Sequence, residues 1–292
     1  MASLKEVKGR IATVNNTRKI TSAMKMVASA KLHKAQGAIT HMLPYEQRLH
    51  GLLSNLLSGG DTLSWGIPRE VKRIALVVFS SNSSLCGGFN ANVIKHATAW
   101  LDKHQDLSAE NVLIYPVGKK VADALQKQGY SVQGDFQHMA DKPSFAEASS
   151  LAQQLMDMFA QGEVDRVELL YNHFKNTASQ ILTNEVYLPF ATSHPEEHSD
   201  EGSRKYQEEI DYILEPSREE LLAMLLPKVL RMKLYTVLLD SNASEHAART
   251  MAMQIATDNA DDLLQELTLM YNKTRQQAIT NELLDIVGGS MA

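Results

Sequence analysis

The 292-residue chain has one cysteine, eight prolines, two tryptophans and only 6% aromatic residues. A single cysteine excludes an intramolecular disulfide framework and a cysteine-rich zinc site. No run of about 18 apolar residues occurs, so nothing in the sequence reads as a membrane-spanning helix. The opening stretch MASLKEVKGRIATVNNTRK lacks the apolar core of a secretory signal. It is basic, contains Ser and Thr and is poor in acids, which is also the composition of a transit peptide. What is present is ordinary for a folded protein: 44% hydrophobic and 22% charged residues, with 13 methionines in place of aromatic bulk.

The net charge of -5 conceals an asymmetry. Residues 1–57 carry nine Lys/Arg and two Asp/Glu, a net of +7, whereas residues 191–226 carry three and ten, a net of -7. The segments 58–190 and 227–292 are close to balance, at -3 and -2. A basic first arm and an acidic stretch before the last arm point to different electrostatic partners, or to helix faces that merely differ in charge.

From Leu4 to Leu57 there are few turn signals, and Leu4, Val7, Ile11 and Val14 step by three and four, the seam of a coiled coil. Arg18 falls where an apolar residue is due, and Ile20, Met24 and Val27 are expected to resume the seam after a drift. Pro44 is expected to bend this helix rather than end it. At the other end Ser217 and Glu220 form an S-x-x-E capping box after Pro216. Helical pattern then runs past Pro227, with Leu221, Leu225, Val229, Met251, Ile255, Leu263, Leu267 and Met270 as apolar positions. It is expected to stop near Val287, at Gly288 and Gly289. Helices of these lengths, roughly 80 and 105 Å at 1.5 Å per residue, exceed the breadth of a 292-residue globule. An antiparallel two-helix shaft accommodates them, and a four-helix bundle is the alternative.

Between the arms the pattern changes. RIALVVFS (Arg73 to Ser80) is a continuous apolar run of the kind a doubly covered parallel strand needs. VLIYPV, VDRVELLY and ILTNEVYL read as further strands, with helices expected over 86–103, 118–129 and 144–161. The expected fold class is therefore α/β: a long antiparallel two-helix coiled coil formed by the N- and C-terminal arms, plus a central Rossmann-like α/β domain. The expected divisions are 1–57 for the first coil helix, 58–72 for a linker and 73–190 for the α/β domain. An acidic linker and foot segment at 191–216 and the second coil helix at 217–292 complete them.

Candidate chemistry in the middle is sparse. Ser80 to Asn90 (SSNSSLCGGFN) sits at a strand-to-helix turn, where a phosphate could meet a helix N-terminus. It matches neither a P-loop nor a dinucleotide fingerprint, and no Lys stands where a P-loop needs one. Gly87 and Gly88 equally suit a tight turn. Cys86 acts as a nucleophile only if a His and an acid converge on it, and otherwise is a small buried thiol. His194 and His198 are four apart in a Pro- and Glu-rich stretch, a poor metal pattern. No catalytic, cofactor-binding or metal residue is assigned. Nucleic-acid binding by the +7 arm lacks an aromatic stacking platform.

Three stretches resemble the gamma subunit of the F-type ATP synthase, bacterial type. They are IATVNNTRKITSAMKMVASAKL (Ile11 to Leu32), LCGGFN (Leu85 to Asn90), and Asn242 to Val287 with NASEHAARTMAM, ATDNA and LTLMYNKTRQQAITNELLDIV. One departure stands out: the family's Ser-Asp-Arg-Gly before the Leu-Cys turn is replaced by Ser81-Asn82-Ser83-Ser84. The resemblance implies a non-catalytic central-stalk rotor without cofactors. Its implied partners are three alpha and three beta subunits, the epsilon subunit and the membrane c-subunit ring, with no nucleic acid. It also implies that Lys19, Met24 and Lys25 face the acidic lever loop of beta. Arg249, Arg275, Gln276, Thr280 and Glu282 are implied to hydrogen-bond to beta higher on the shaft, and Tyr212 to lie at the foot near epsilon and the ring. Peripheral attachment at the cytoplasmic face of the bacterial inner membrane follows. Because the match includes the basic start, that start is expected to belong to the first helix and not to a transit peptide.

Overall fold

The structure is a computed structural model that describes residues 3–57, 69–104, 111–190, 214–215 and 217–290. Its elements run α1 (Leu4–Leu57), β1 (Ile74–Phe79), α2 (Phe89–Lys103), β2 (Val112–Val117), α3 (Lys119–Lys127), α4 (Gln137–Asp141), α5 (Phe145–Ala160), β3 (Arg166–Asn176), β4 (Ser179–Leu188) and α6 (Arg218–Ser290). The chain divides into two compact units, Met1–Ala30 with Arg249–Ala292, and Lys31–Ala248; both long helices pass through both units.

The helix starts are written locally. Ser3 Oγ accepts the Glu6 amide at 3.3 Å, and Ser217 Oγ accepts the Glu220 amide at 3.2 Å. Each satisfies one of the donors that a first helical turn leaves open. Pro44 and Pro227 lie inside α1 and α6, and neither ends its helix. The expected stop at Gly288–Gly289 is corrected: α6 continues to Ser290. Glycine disfavours a helix by only about 1 kcal/mol per residue, which does not forbid continuation.

In the first unit the two helices pair antiparallel. Arg18 Nη1 meets Asp261 Oδ1 at 2.8 Å, and the hydroxyls of Thr21 and Thr257 lie 2.9 Å apart. Three residues forward on α1 thus match four residues back on α6. Val7, Thr21 and Ala28 are buried on one side and Met253, Ala260 and Leu267 on the other. The expected drift of the seam is thereby corrected. The 3–4 spacing runs on through Arg18, Thr21, the half-buried Lys25 and Ala28, while Ile20 and Val27 are 60% and 58% exposed. On α6, Ile255, Leu263 and Met270 likewise face outward. Polar residues hold the seam because each finds a partner across it, the ion pair at Arg18 and the hydroxyl pair at Thr21.

The second unit is built on a four-stranded sheet in the order β2-β1-β3-β4. β1 is parallel to β2 and β3, and β4 returns antiparallel to β3. Alternate residues of β1 enter two cores, which explains its unbroken apolar run. Ile74, Leu76 and Val78 meet α2 and α3 through Val93, Trp100, Val121 and Leu125. Ala75, Val77 and Phe79 share the other core with α5 residues such as Leu155 and Phe159, with Leu53 of α1 and with Leu226 and Leu230 of α6. The sequence pattern does not reveal the five-residue α4, which is too short to establish a period.

Candidate functional surfaces

The turn after β1 spends its polar groups on the start of α3, while α2, the helix that follows it directly, has no side-chain cap. The first amides of α3 are capped by that turn: Lys119 N donates to Asn82 Oδ1 at 2.8 Å, Lys120 N to Ser81 O at 3.1 Å and Val121 N to Ser80 Oγ at 3.1 Å. These are the donors an anion at this helix N-terminus would use. The turn is closed on its other side by Asn90, whose Oδ1 accepts the Ser81 amide at 3.0 Å and whose Nδ2 lies 3.1 Å from Cys86 Sγ. Cys86 is 2% exposed, and its hydrogen-bond partners are Ser81, Ser83 and Asn90, with neither a His nor a carboxylate among them. Within the Ser81-Asn82-Ser83-Ser84 departure, the Asn82 side chain supplies one of these caps. Among the described residues no three His, Cys, Asp or Glu side chains converge as metal ligands; His194 and His198 lie outside those residues.

The residues that resemblance assigns to partner contacts are spread along the helices. Lys19 is exposed, and Met24 and Lys25 are half-buried at the edge of the seam. Arg275, Gln276, Thr280 and Glu282 are all exposed, with the Thr280 hydroxyl turned back onto Gln276 O at 2.9 Å. By the pairing register, Met24 lies level with about residue 254 of α6. Arg275 is then about 30 Å further along, at 1.5 Å per residue. The assigned residues thus fall at two separate levels along the coil, not at one place. Arg249 differs from the rest: it is only 9% exposed and is engaged within the chain, not on a solvated helix face. Tyr212 lies outside the described residues.

Sequence reasoning missed the apolar character of the outer face in this unit. Ile20, Met26 and Val27 on α1 are 58–65% exposed, and Ile255, Leu263, Leu269 and Met270 on α6 are exposed as well. Beyond about residue 275 the register leaves α6 without an opposite residue on α1, and Ile279, Leu283, Leu284, Ile286 and Val287 are exposed there. A signal for this existed. Once Arg18 and Thr21 are accepted as seam residues, Ile20 and Val27 fall seven apart on the outside. Apolar faces this extensive mark surfaces that a partner covers.

In the second unit a close ion pair joins β3 to α6. His173 Nδ1 lies 2.6 Å from Asp240 Oδ2, and Asp240 Oδ1 accepts the Phe174 amide at 2.7 Å. The hydrogen bond to Asp240 is the largest influence on His173 and raises its pKa above the ordinary 6.5; burial opposes it, as does Lys233, while the charges of Asp240 and Glu185 add to it. A raised folded-state pKa means that the stabilisation is complete below 6.5 and is lost as pH climbs through the folded value. The difference in unfolding free energy between the parent and His173→Gln is therefore expected to shrink as pH rises above 6.5. Urea titrations across that range measure it, and a difference that grows with pH contradicts the assignment.

A long antiparallel helix pair with an apolar outer face, continuous with a mixed α/β sheet, defines the class of fold. The same fold occurs in solved ATP synthase chains. One, from the Euglena gracilis mitochondrial enzyme (OSCP/F1/c-ring), aligns with a TM-score of 0.65 at 22% identity over 99% of this chain and 93% of that one. Another, from the Tetrahymena thermophila mitochondrial enzyme (central stalk and c-ring), has a TM-score of 0.55 at 24% identity over 81% and 99%. The family model described as ATP synthase matches residues 3–292. The chain is 66% identical to the ATP synthase gamma chain of Phocaeicola vulgatus and 58% identical to that of Bacteroides fragilis, over the full length of every chain. It belongs to the ATP synthase gamma chain family, whose members are non-catalytic subunits of the rotor stalk. No helix among the described residues is long and apolar enough to cross a membrane.

Proposed function

We propose that the coil turns inside a head of three alpha and three beta subunits and presents a different face to each catalytic site. The observation that carries this is the exposed apolar surface of the coil, headed by Ile20, Met26 and Val27, on a helix pair whose own seam is already filled. A coil that needed only itself would be polar outside. Weak, non-directional apolar contacts also suit a surface that must slide, since no hydrogen bond has to break at each step. In this reading Lys19 and Lys25 attract the acidic lever loop of beta, while Met24 is a neutral bearing contact between them. Arg275, Gln276, Thr280 and Glu282 form the upper contact, whereas Arg249, fixed within the chain and about 39 Å from Arg275 at 1.5 Å per residue, lies near the level of Met24 and not at that upper contact. The exposed apolar end of α6 runs in the sleeve above them. Each orientation of the coil favours one conformation of the facing site and so shifts its population. The acidic 191–216 segment, with Tyr212, meets epsilon and the c-ring. The assembly stands at the cytoplasmic face of the bacterial inner membrane.

Met24→Lys tests the bearing. An added ammonium facing an acidic loop forms an ion pair in some orientations only, and every 1.4 kcal/mol of such unequal stabilisation is about tenfold in relative dwell. ATP hydrolysis is expected to continue while ATP-driven proton pumping into membrane vesicles falls. Pumping at the parent's ratio to hydrolysis contradicts the assignment.

A further inference from the structure

α6 crosses the second unit with a run of buried polar side chains that the coil contacts do not use. Asn242 is 9% exposed and Ser244 is fully buried, and the Asp240 side chain is 14% exposed. Each is committed to backbone of the α/β unit. Asn242 Nδ2 donates to Ala140 O at 2.9 Å, and Ser244 Oγ donates to Asn172 O at 2.8 Å. Asp240 Oδ1 accepts the Phe174 amide, with His173 on its other oxygen. At about 100° per residue, Asp240 and Ser244 point within about 40° of each other, and Asn242 points about 200° away from Asp240. The partners agree with this: Asn172 and Phe174 belong to β3, whereas Ala140 belongs to α4. The helix is gripped from opposite sides.

We propose that Asp240, Asn242 and Ser244 form a two-sided collar that locks α6 against turning about its own axis and against sliding within the α/β unit. Apolar packing around a helix is non-directional and tolerates neighbouring rotations. A buried polar side chain does not, because any slip leaves donor and acceptor unpaired away from water. Single buried polar residues fix register in coiled coils by this means. α4 makes a firm jaw despite its length. Met139 lies in the core, and Asn82 Nδ2 donates to Gln137 O at 2.7 Å. The inference rests on the rotor reading above: torque that enters the α/β unit reaches the coil through α1 and α6, and the collar determines how stiffly α6 carries its share. These three are positioning residues and touch no nucleotide.

The experiment uses the chain assembled with alpha and beta subunits on a surface, with a bead attached through Lys127→Cys on the exposed end of α3. Asn242→Leu with Ser244→Ala removes the directed bonds while keeping the space filled; Asn242→Ala is the second variant if that pair folds poorly. Wider angular fluctuations of the bead at a fixed catalytic dwell are expected, together with loss of rotation against viscous load at unchanged unloaded hydrolysis. Asp240→Asn, which keeps an acceptor for Phe174 N, should stay near the parent. A parent that rotates and variants that are equally stiff overturn the collar alone, as does a lower melting temperature with unchanged stiffness. A parent that assembles without rotating overturns the rotor reading and the collar with it.

Discussion

Gly118→Ala is expected to destabilise the α/β unit by more than about 3 kcal/mol, a fall of roughly 6–12 °C in melting temperature for a unit of this size. Gly118 follows β2 at φ +113°, a backbone conformation that an L side chain rarely adopts, and an added Cβ would overlap the Ser80 carbonyl. Neither neighbour can yield cheaply. Ser80 N is bonded to Val117 O at 2.8 Å, and Ser80 Oγ caps the Val121 amide. Relief therefore requires the end of β1 to separate from the start of α3, which exposes the amides that Ser80, Ser81 and Asn82 cover. The backbone strain accounts for about 1–3 kcal/mol and the displaced caps for the remainder. Thermal and urea unfolding of the parent and variant measure it. A change below about 1 kcal/mol contradicts the close approach of the two turns.

Glu168→Ala is expected to cost about 2–4 kcal/mol, from a buried indole donor left unpaired together with the cavity it opens. Glu168 sits on β3 at 3% exposure, between the sheet and α2. Its Oε2 accepts Trp100 Nε1 at 2.9 Å and Asn184 Nδ2 at 2.8 Å, and its Oε1 lies 3.0 Å from Arg166 Nε. Alanine leaves the buried Trp100 indole donor without an acceptor and also opens a cavity, while the amide of the exposed Asn184 can turn to water. Glu168→Gln keeps one acceptor oxygen and fills the space, so it is expected to cost less than half as much. Equal losses for the two variants would assign the effect to volume alone and dismiss the network.

The two long helices and the α/β character of the middle were legible because they depend on local signals. The capping box at Ser217 and Glu220 and the continuous apolar run of β1 are such signals, whereas the Ser3 cap on Glu6 emerged only in the structure. The path of the coil seam was not legible, since it depends on pairs between residues far apart in sequence. Arg18 looks like an interruption until Asp261 is placed opposite it, and Thr21 until Thr257 is. The same blindness hid the outer apolar face, whose residues had been spent on the seam. At the turn after β1, Ser80, Ser81 and Asn82 could not be read as caps for α3, which begins more than 35 positions later. Residue-level roles on the coil came from resemblance. Geometry then separated Arg249, fixed within the chain, from the exposed group at Arg275 to Glu282.

The central claim is that this chain turns as a non-catalytic shaft. Its most direct test is to purify the chain together with alpha and beta subunits of the same enzyme, immobilise the head, and follow a bead on the α/β unit while ATP is supplied. The account predicts one copy of this chain per three alpha and three beta subunits, with stepwise rotation in one direction that stops when ATP is removed. A different stoichiometry, or ATP hydrolysis by the complex with the bead stationary, contradicts it.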